Sequence, residues 1–319
     1  MTKYLITGGL GFIGSNFVNY LSSVQKESFF VVLDKKDYCS SLENIHPSSN
    51  VEVVIGNISN HELVMYILTK YQIDIVVHFA AQSHVDNSFF NSIPFTESNV
   101  LGTHSLLESC RAYQHIKRFI HISTDEVYGE VTDGVARSEK SLLNPTNPYA
   151  ASKAAAEFFV KSYYYSYQLP VIITRGNNVF GPNQYPEKVI PKFICQLLDD
   201  KPITVQGTGL TKRNFIHVDD VCTAIECILE KGVIGETYNI SAPHENEFTV
   251  LELGKMICGV IGVEEKIVFI EDRKFNDYRY YISNDKLKEL GWTPVKLDFK
   301  EELKKLVEWY RVNKGRYAS

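Results

Sequence analysis

Tyr4-Leu-Ile-Thr-Gly-Gly-Leu-Gly-Phe-Ile-Gly14 decides the fold of this chain. Tyr4 to Thr7 read as a short apolar strand. Gly8, Gly9, Gly11 and Gly14 follow at once, with Phe12 and Ile13 between the last two, and a helical pattern then runs to Leu21. Glycines in this setting let the backbone turn tightly and approach a pyrophosphate, whose charge rests on the helix N-terminus. Gly14 also lets helix and strand pack closely. A glycine triplet alone says little, but here a second apolar strand, Phe29 to Leu33, ends in Asp34. That acid lies about 20 positions beyond Gly14, where a ribose-binding carboxylate is expected. It would accept from both ribose hydroxyls and repel a 2′-phosphate, so NAD is the expected cofactor over NADP. Lys35 weakens that preference slightly.

Outward from this start, strands are predicted at 51–55, 74–80, 118–124 and 170–175, with helical stretches near 59–71, 96–113 and 148–167. Continuously apolar strands alternating with helices mean a parallel sheet covered on both faces. The expected fold is therefore α/β, a Rossmann-type doubly wound parallel sheet with a smaller, interleaved C-terminal substrate-binding domain. Residues 1–175, with 210–240 returning to them, would form the dinucleotide-binding domain. Residues 176–209, rich in Asn, Pro, Gly and Lys, and residues 241–319 would form the smaller one.

The chain has 319 residues, 44% of them hydrophobic, enough for a large core and about two domains. A net charge of −5 argues against a nucleic-acid or anionic-membrane partner. No apolar run approaches the roughly 20 residues of a membrane span, and Met1-Thr-Lys-Tyr4 leads straight into a strand without a signal-peptide pattern. Cys39, Cys110, Cys195, Cys222, Cys227 and Cys258 form no Cys-x-x-Cys pair and no metal-ligand spacing. They read as reduced thiols of a cytoplasmic protein that holds no metal.

The chemistry points to Thr124-Asp125-Glu126, which puts two carboxyl groups where an apolar strand runs out, the edge at which open α/β sheets bind ligands. Neighbouring residues on a strand point to opposite faces, so both acids can reach one substrate only if the chain leaves strand geometry at Asp125. Tyr149-Ala-Ala-Ser-Lys153 follows and sets Tyr149 and Lys153 on one helix face. Taken singly, Asp-Glu after a strand is most often a helix start, and Tyr-x-x-x-Lys a packing pair. Together with the dinucleotide fingerprint they supply an acid, a base and a Tyr/Lys pair, more proton-transfer equipment than simple alcohol oxidation needs.

These motifs, with Phe79-Ala-Ala-Gln-Ser-His-Val-Asp86 and Asn178-Val-Phe-Gly-Pro-Asn-Gln-Tyr-Pro-Glu-Lys-Val-Ile-Pro191, resemble those of the extended short-chain dehydrogenase/reductases. Within that superfamily the chain is similar, nearly end to end, to the nucleoside-diphosphate-glucose 4,6-dehydratases. The glycine loop and the Tyr/Lys pair mark only the superfamily; Thr-Asp-Glu and Gln-Tyr-Pro-Glu-Lys are more specific. The resemblance implies a closed redox cycle on bound NAD. Tyr149, its pKa lowered by Lys153 and the nicotinamide charge, would take the sugar 4-hydroxyl proton while Thr124 holds that oxygen. Glu126 would remove the C5 proton, and Asp125 would protonate the departing 6-hydroxyl. Gly8, Gly11, Phe12, Ile13, Gly14, Asp34, Lys35, Asn57, Ile58, Phe79, Ala80, Ala81, Ser98, Tyr149 and Lys153 would hold the cofactor.

For the substrate, the resemblance implies Asn178, Arg213 and Arg273 at the diphosphate, and Ser83 and His84 beside the sugar. Lys188, Val189, Thr204 and Gln206 would line the nucleoside, with His244 also near the substrate. Four departures from the family pattern fall outside the proton-transfer set: Asn57 before Ile58, Asn214 after Arg213, Lys274-Phe-Asn276, and Pro243-His244. They bear on nucleotide preference, for which thymidine is the first expectation and uridine the second. An epimerase or decarboxylase would share the glycine loop, Tyr149 and Lys153 but not the acid pair. A reductase would consume NADH, and a non-catalytic NAD-binding regulator would tend to lose the Tyr/Lys pair.

Residues 99–112 and 149–167 are expected as helices, the second carrying Phe158, Phe159, Tyr163, Tyr164, Tyr165 and Tyr167. One helix face cannot bury that many rings against a sheet. In the resembling family these helices pair with their copies across a two-fold axis, so a homodimer is expected.

Overall fold

A computed structural model describes residues 1–317. Twelve strands occur among them: β1 Lys3–Thr7, β2 Phe29–Asp34, β3 Val51–Ile55, β4 Ile75–His78, β5 Arg118–Thr124, β6 Val171–Gly176, β7 Asn178–Phe180, β8 Ile203–Gln206, β9 Lys212–His217, β10 Thr237–Ile240, β11 Glu247–Thr249 and β12 Ile267–Ile270. Seven of these make one parallel sheet in the order β10-β6-β5-β4-β1-β2-β3. The order explains where a ligand can enter. After β3 the chain crosses back to the other side of β1, and the connections leaving β1 and β4 diverge to open a crevice at the strands' carboxyl ends.

Helices cover both faces, as the continuously apolar strands require. Helices Phe12–Val24 and Val218–Lys231 close one face over Ile6, Val32, Val77, Ile120 and Ile172. On the other face, His61–Tyr71, Gly102–Tyr113 and Pro148–Tyr167 cover Leu5, Val31, Val76, Phe119 and Val171. Each strand thus sends alternate side chains into two separate cores. A third core lies away from the large sheet. There, helices Val189–Leu198, Val250–Ile261 and Phe299–Asn313 pack around Phe193, Ile203, Phe215, Leu253 and Leu303.

The strand pairing redraws the expected return of 210–240. β9 joins β7 and β11 in a small sheet, so the return to the large sheet begins at Val218 and ends with β10. Part of the tail also returns: Leu287 and Trp292 are buried in the first core with Tyr238, because β10 is an edge strand whose outer flank needs cover.

The expected helix at 96–113 begins earlier, at Ile93, and contains a wide turn over Thr96–Leu101. That turn seats the buried Asn99, which donates to the Gln82 carbonyl at 2.9 Å and the Ser152 hydroxyl at 2.8 Å while accepting from Gln82 N at 2.7 Å. One amide therefore ties the loop after β4 to the helix that carries Tyr149 and Lys153.

Candidate active site

A cavity of about 300 Å³ opens along the carboxyl ends of β1, β2, β4, β5 and β6. At one end lies the glycine loop. The helix that starts at Phe12 has no side-chain cap, so its first N–H groups are free to face an anion. Gly8 has φ +70, and a β-carbon on it would sit 2.5 Å from Ala80 N; one on Gly14 would sit 2.4 Å from the Gly8 carbonyl. Only glycine permits these approaches. Asp34 lines the cavity at the end of β2, its carboxylate anchored by Leu10 N at 3.0 Å and Lys36 N at 2.8 Å. A free helix N-terminus, a glycine cradle and an anchored carboxylate fit a dinucleotide such as NAD, with Lys35, Asn57, Ile58, Phe79, Ala80, Ala81 and Ser98 on the same wall. Asn57 uses its side-chain oxygen on Ser59 N at 3.0 Å, which leaves its amide nitrogen available.

Towards the middle of the cavity the strand geometry does end at Asp125. Thr124 is still extended, and Asp125–Tyr128 form a tight helical turn capped by the Thr124 hydroxyl, which accepts from Glu126 N at 3.3 Å. The turn brings Thr124, Asp125 and Glu126 to the cavity with Tyr149 and Lys153. Asp125 is 3% exposed. It accepts from Asn177 Nδ2 at 2.8 Å on one oxygen and from the Thr124 hydroxyl at 3.2 Å on the other. Burial pushes its carboxyl up to about 7, and the adjacent Glu126 charge adds to the rise against the pull of Asn177. Glu126 accepts from Asn147 Nδ2 at 3.0 Å; Asn147 also caps the helix of Tyr149 through Ala150 N at 2.8 Å. One asparagine therefore fixes the second carboxylate to the start of the Tyr/Lys helix.

Lys153 and the nicotinamide charge together are expected to lower the Tyr149 pKa; the protein's own groups act in the other direction. Burial and the Glu126 charge hold the phenol above its ordinary value, with the neighbouring Thr124 hydroxyl acting against them. Lys153 is itself brought down to about 8 by burial, opposed by Glu157, and donates to the Ile122 carbonyl at 2.6 Å. Beneath Lys153 lie His78 and His121, buried and held far below the ordinary imidazole range, hence neutral.

The substrate residues inferred from the sequence divide into groups. Ser83, Asn178 and Lys188 line the same cavity, with Lys188 donating to the Ser83 carbonyl at 2.5 Å and burial lowering its ammonium pKa. His84, Gln206 and Arg273 converge on a neighbouring cluster around Asp86: Arg273 Nε lies 2.5 Å from it and Gln206 Nε2 donates at 3.4 Å. His84 stands between Asp86 at 3.9 Å and Glu187 at 3.7 Å. Val189 begins the helix directly after Lys188. Arg213 is buried over the Tyr280 ring, 4.6 Å away, donates to Asn276 at 3.2 Å, and exerts its charge on Asp125.

Thr204 and His244 lie apart from both the cavity and the Asp86 cluster. Thr204 is bound on both backbone and side chain by Gln196, at 3.3 and 3.1 Å. His244 is exposed, hydrogen-bonded to Tyr281 at 2.7 Å, and borders a separate cleft with Ser283 and Asn284. Its ring meets the Tyr281 ring edge-on, with centroids 4.5 Å apart, which turns it away. Conversely, Asn147 and Asn177 went unread in the sequence. Asn147 carried a signal, an Asn before Pro148 at a helix start, which reads as a cap. Asn177 carried none.

A dinucleotide cradle joined to a Tyr/Lys helix and a pair of acids is the site of an extended short-chain dehydrogenase/reductase. More narrowly, this chain belongs to the family described as GDP-mannose 4,6 dehydratase, which matches residues 5–306. It is 48% identical over 97% of its length to the trifunctional UDP-glucose 4,6-dehydratase/UDP-4-keto-6-deoxy-D-glucose 3,5-epimerase/UDP-4-keto-L-rhamnose-reductase RHM2 of Arabidopsis thaliana, of which it covers 47%. The chain thus spans about half the length of that relative. It is 44% identical to the dTDP-D-glucose 4,6-dehydratase of Dictyostelium discoideum, over 98% of this chain and 82% of the relative. Among solved structures, DesIV (dTDP-glucose 4,6-dehydratase) from Streptomyces venezuelae with NAD and TYD bound superposes with a TM-score of 0.94 at 38% identity, covering 99% of both chains. Among the described residues no helix is long and apolar enough to cross a membrane, and no cluster of side chains could hold a metal ion.

Proposed function

We propose that this chain converts a nucleoside-diphosphate glucose to its 4-keto-6-deoxy form by NAD-dependent loss of water. The observation that carries the reading is a buried acid, Asp125, held near neutrality beside Glu126 and within one cavity of Tyr149. Bound NAD would supply the hydride acceptor at C4 and the hydride donor at C6. Tyr149 would take the 4-hydroxyl proton, with Thr124 holding the same oxygen. The resulting ketone acidifies C5, from which Glu126 would remove the proton, and protonated Asp125 would release the 6-hydroxyl as water. Glu126 would then return its proton to C5. Arg213, Arg273 and Asn178 would hold the diphosphate, a guanidinium fork being suited to phosphate oxygens. Lys188 would lie beside the nucleoside.

Thymidine is the first reading of the nucleotide, supported by the dTDP-linked names of the Dictyostelium and Streptomyces relatives. Uridine is the second, supported by the 48% identity to a protein named for UDP-glucose. Parallel incubations with dTDP-glucose and UDP-glucose test both. Mass spectrometry is expected to give a product lighter by one water, without net change in NADH absorbance. An unchanged mass with inverted C4 would make the protein an epimerase. The six free cysteines support a reducing compartment such as the cytoplasm.

The proposed assembly is a homodimer through helices 99–112 and 149–167. Within one chain Tyr163 is buried, but Phe158 is 61% and Tyr165 73% exposed. Together with Leu101 on the neighbouring helix they leave an apolar face that an isologous contact would cover. Light scattering at micromolar concentration is expected to report a dimer, and Phe158→Glu a monomer. A wild-type monomer that keeps its activity would remove this reading.

A further inference from the structure

Buried polar atoms ordinarily have aligned hydrogen-bond partners. Three in the cluster beside the cavity do not: His84 Nδ1, Asp86 Oδ1 and Arg273 Nε. Two of these three face each other. Arg273 Nε lies 2.5 Å from Asp86 Oδ1, yet its N–H does not point along the contact. The pair is therefore held by charge, without the directed fork that a guanidinium can offer an oxyanion.

We propose that Asp86 parks Arg273 in the free protein and competes with a diphosphate for it, so that this one carboxylate sets how tightly the nucleotide is held. The inference rests on the nucleotide-sugar reading above, in which Arg273 meets the diphosphate. The two arginines of that reading differ in their partners. Arg213 donates to the Lys212 carbonyl at 2.7 Å, the Tyr278 carbonyl at 3.4 Å and Asn276 Oδ1 at 3.2 Å, neutral oxygens that leave its charge for an anion. Arg273 is neutralised by Asp86 instead.

The exchange needs only a side-chain movement. The backbone at Arg273 is already held, since its N–H donates to Asp272 Oδ1 at 2.8 Å. Asn276 Nδ2 donates to the same oxygen at 3.0 Å and so ties this turn to Arg213. Asp86 keeps company when the arginine leaves: Gln206 Nε2 donates to its other oxygen at 3.4 Å, and His84 Nε2 stands 3.9 Å from that oxygen. Both side chains of the pair are 26% exposed, so solvent screens the attraction and the contact can break. Substrate and product carry the same diphosphate, and the competition weakens both alike. Uniform weakening of this kind raises KM and hastens product release without touching the chemical step.

Titration calorimetry of the NAD-loaded protein with dTDP and with UDP, which bind without reacting, tests the proposal. Asp86→Asn keeps the shape and the acceptor for Gln206 while removing the charge. The expected result is binding of the preferred nucleotide tighter by about 3–5-fold, the worth of a screened ion pair. KM for the matching nucleotide sugar should fall by the same factor, with no rise in kcat. The gain must pass through Arg273, so in an Arg273→Gln background the same substitution should leave the affinity unchanged. Weaker or unchanged binding in Asp86→Asn alone would overturn the proposal, weaker binding making Asp86 a direct ligand of the nucleotide. An equal gain in both backgrounds would overturn it as well, reducing the effect to general repulsion between a carboxylate and an anion. Failure of the wild-type protein to bind either nucleotide would instead overturn the nucleotide-sugar reading itself.

Discussion

Asp125→Asn is expected to lower kcat by about 10²–10⁴-fold, the ordinary contribution of a positioned general acid, while leaving the first oxidation closer to intact. The amide keeps the shape, and its oxygen can still accept from Asn177 as the carboxylate does at 2.8 Å. It cannot deliver a proton to a leaving hydroxyl. Glu126→Gln should lose rate by a similar factor through a different step, so that exchange of the C5 hydrogen with solvent deuterium is suppressed. The two are distinguished by pH. A carboxyl pushed up to about 7 is protonated below that value, so elimination falls as pH rises through about 7. Asp125→Asn should lack this alkaline limb in its residual kcat/KM. The same displacement makes the folded state hold a proton that the unfolded chain releases near 3.9, so stability declines as pH rises from about 4 to about 7. That slope should also vanish in the variant. Wild-type rates in both variants would reduce the acid pair to a helix start.

The large sheet was legible because its signals are local. The glycine loop, Asp34 and the apolar strands each follow from a few neighbouring residues, and Pro148–Tyr167 needed only its periodicity. Asp125 and Glu126 were legible as a pair because adjacent acids at a strand end are conspicuous; their separation in environment was not. It depends on Asn177, which reaches Asp125 from the end of β6, and on Asn147, which reaches Glu126 from a helix cap. Long-range contacts of this kind leave no spacing to read. The contact of the tail with the first core was illegible for the same reason: Leu287 and Trp292 bury themselves beside Tyr238, far from any pattern in their own segment. His244 was carried over by resemblance at a position where the chain departs from the family. The Tyr281 ring turns it elsewhere.

Glu157→Gln is expected to destabilise the protein by about 3–5 kcal/mol, the cost of leaving one member of a buried ion pair without its partner. Arg175 is 1% exposed and Glu157 0%. The guanidinium donates from Nε at 3.0 Å and from Nη2 at 2.5 Å, a two-pronged contact that an amide cannot satisfy with its charge. The loss should extend beyond stability. Arg175 also donates to the Tyr128 hydroxyl at 2.7 Å and stacks on that ring, and Tyr128 donates to Asn239 at 2.8 Å. Tyr128 closes the same tight turn that begins with Asp125. The ion pair thus pins one end of the turn that carries the two acids to β6 and β10 while Thr124 caps the other. Urea unfolding should report the stability loss as a lower midpoint. At temperatures where the variant stays folded, kcat should fall more than KM rises, because the carboxyl groups lose their placement while the glycine loop and Asp34 are untouched. Replacing both residues by apolar side chains of similar volume should restore much of the stability, since no unpaired charge is then left inside. It should not restore kcat, because Tyr128 would still lack its guanidinium. A double variant with full activity would show that the turn holds its shape without the pair.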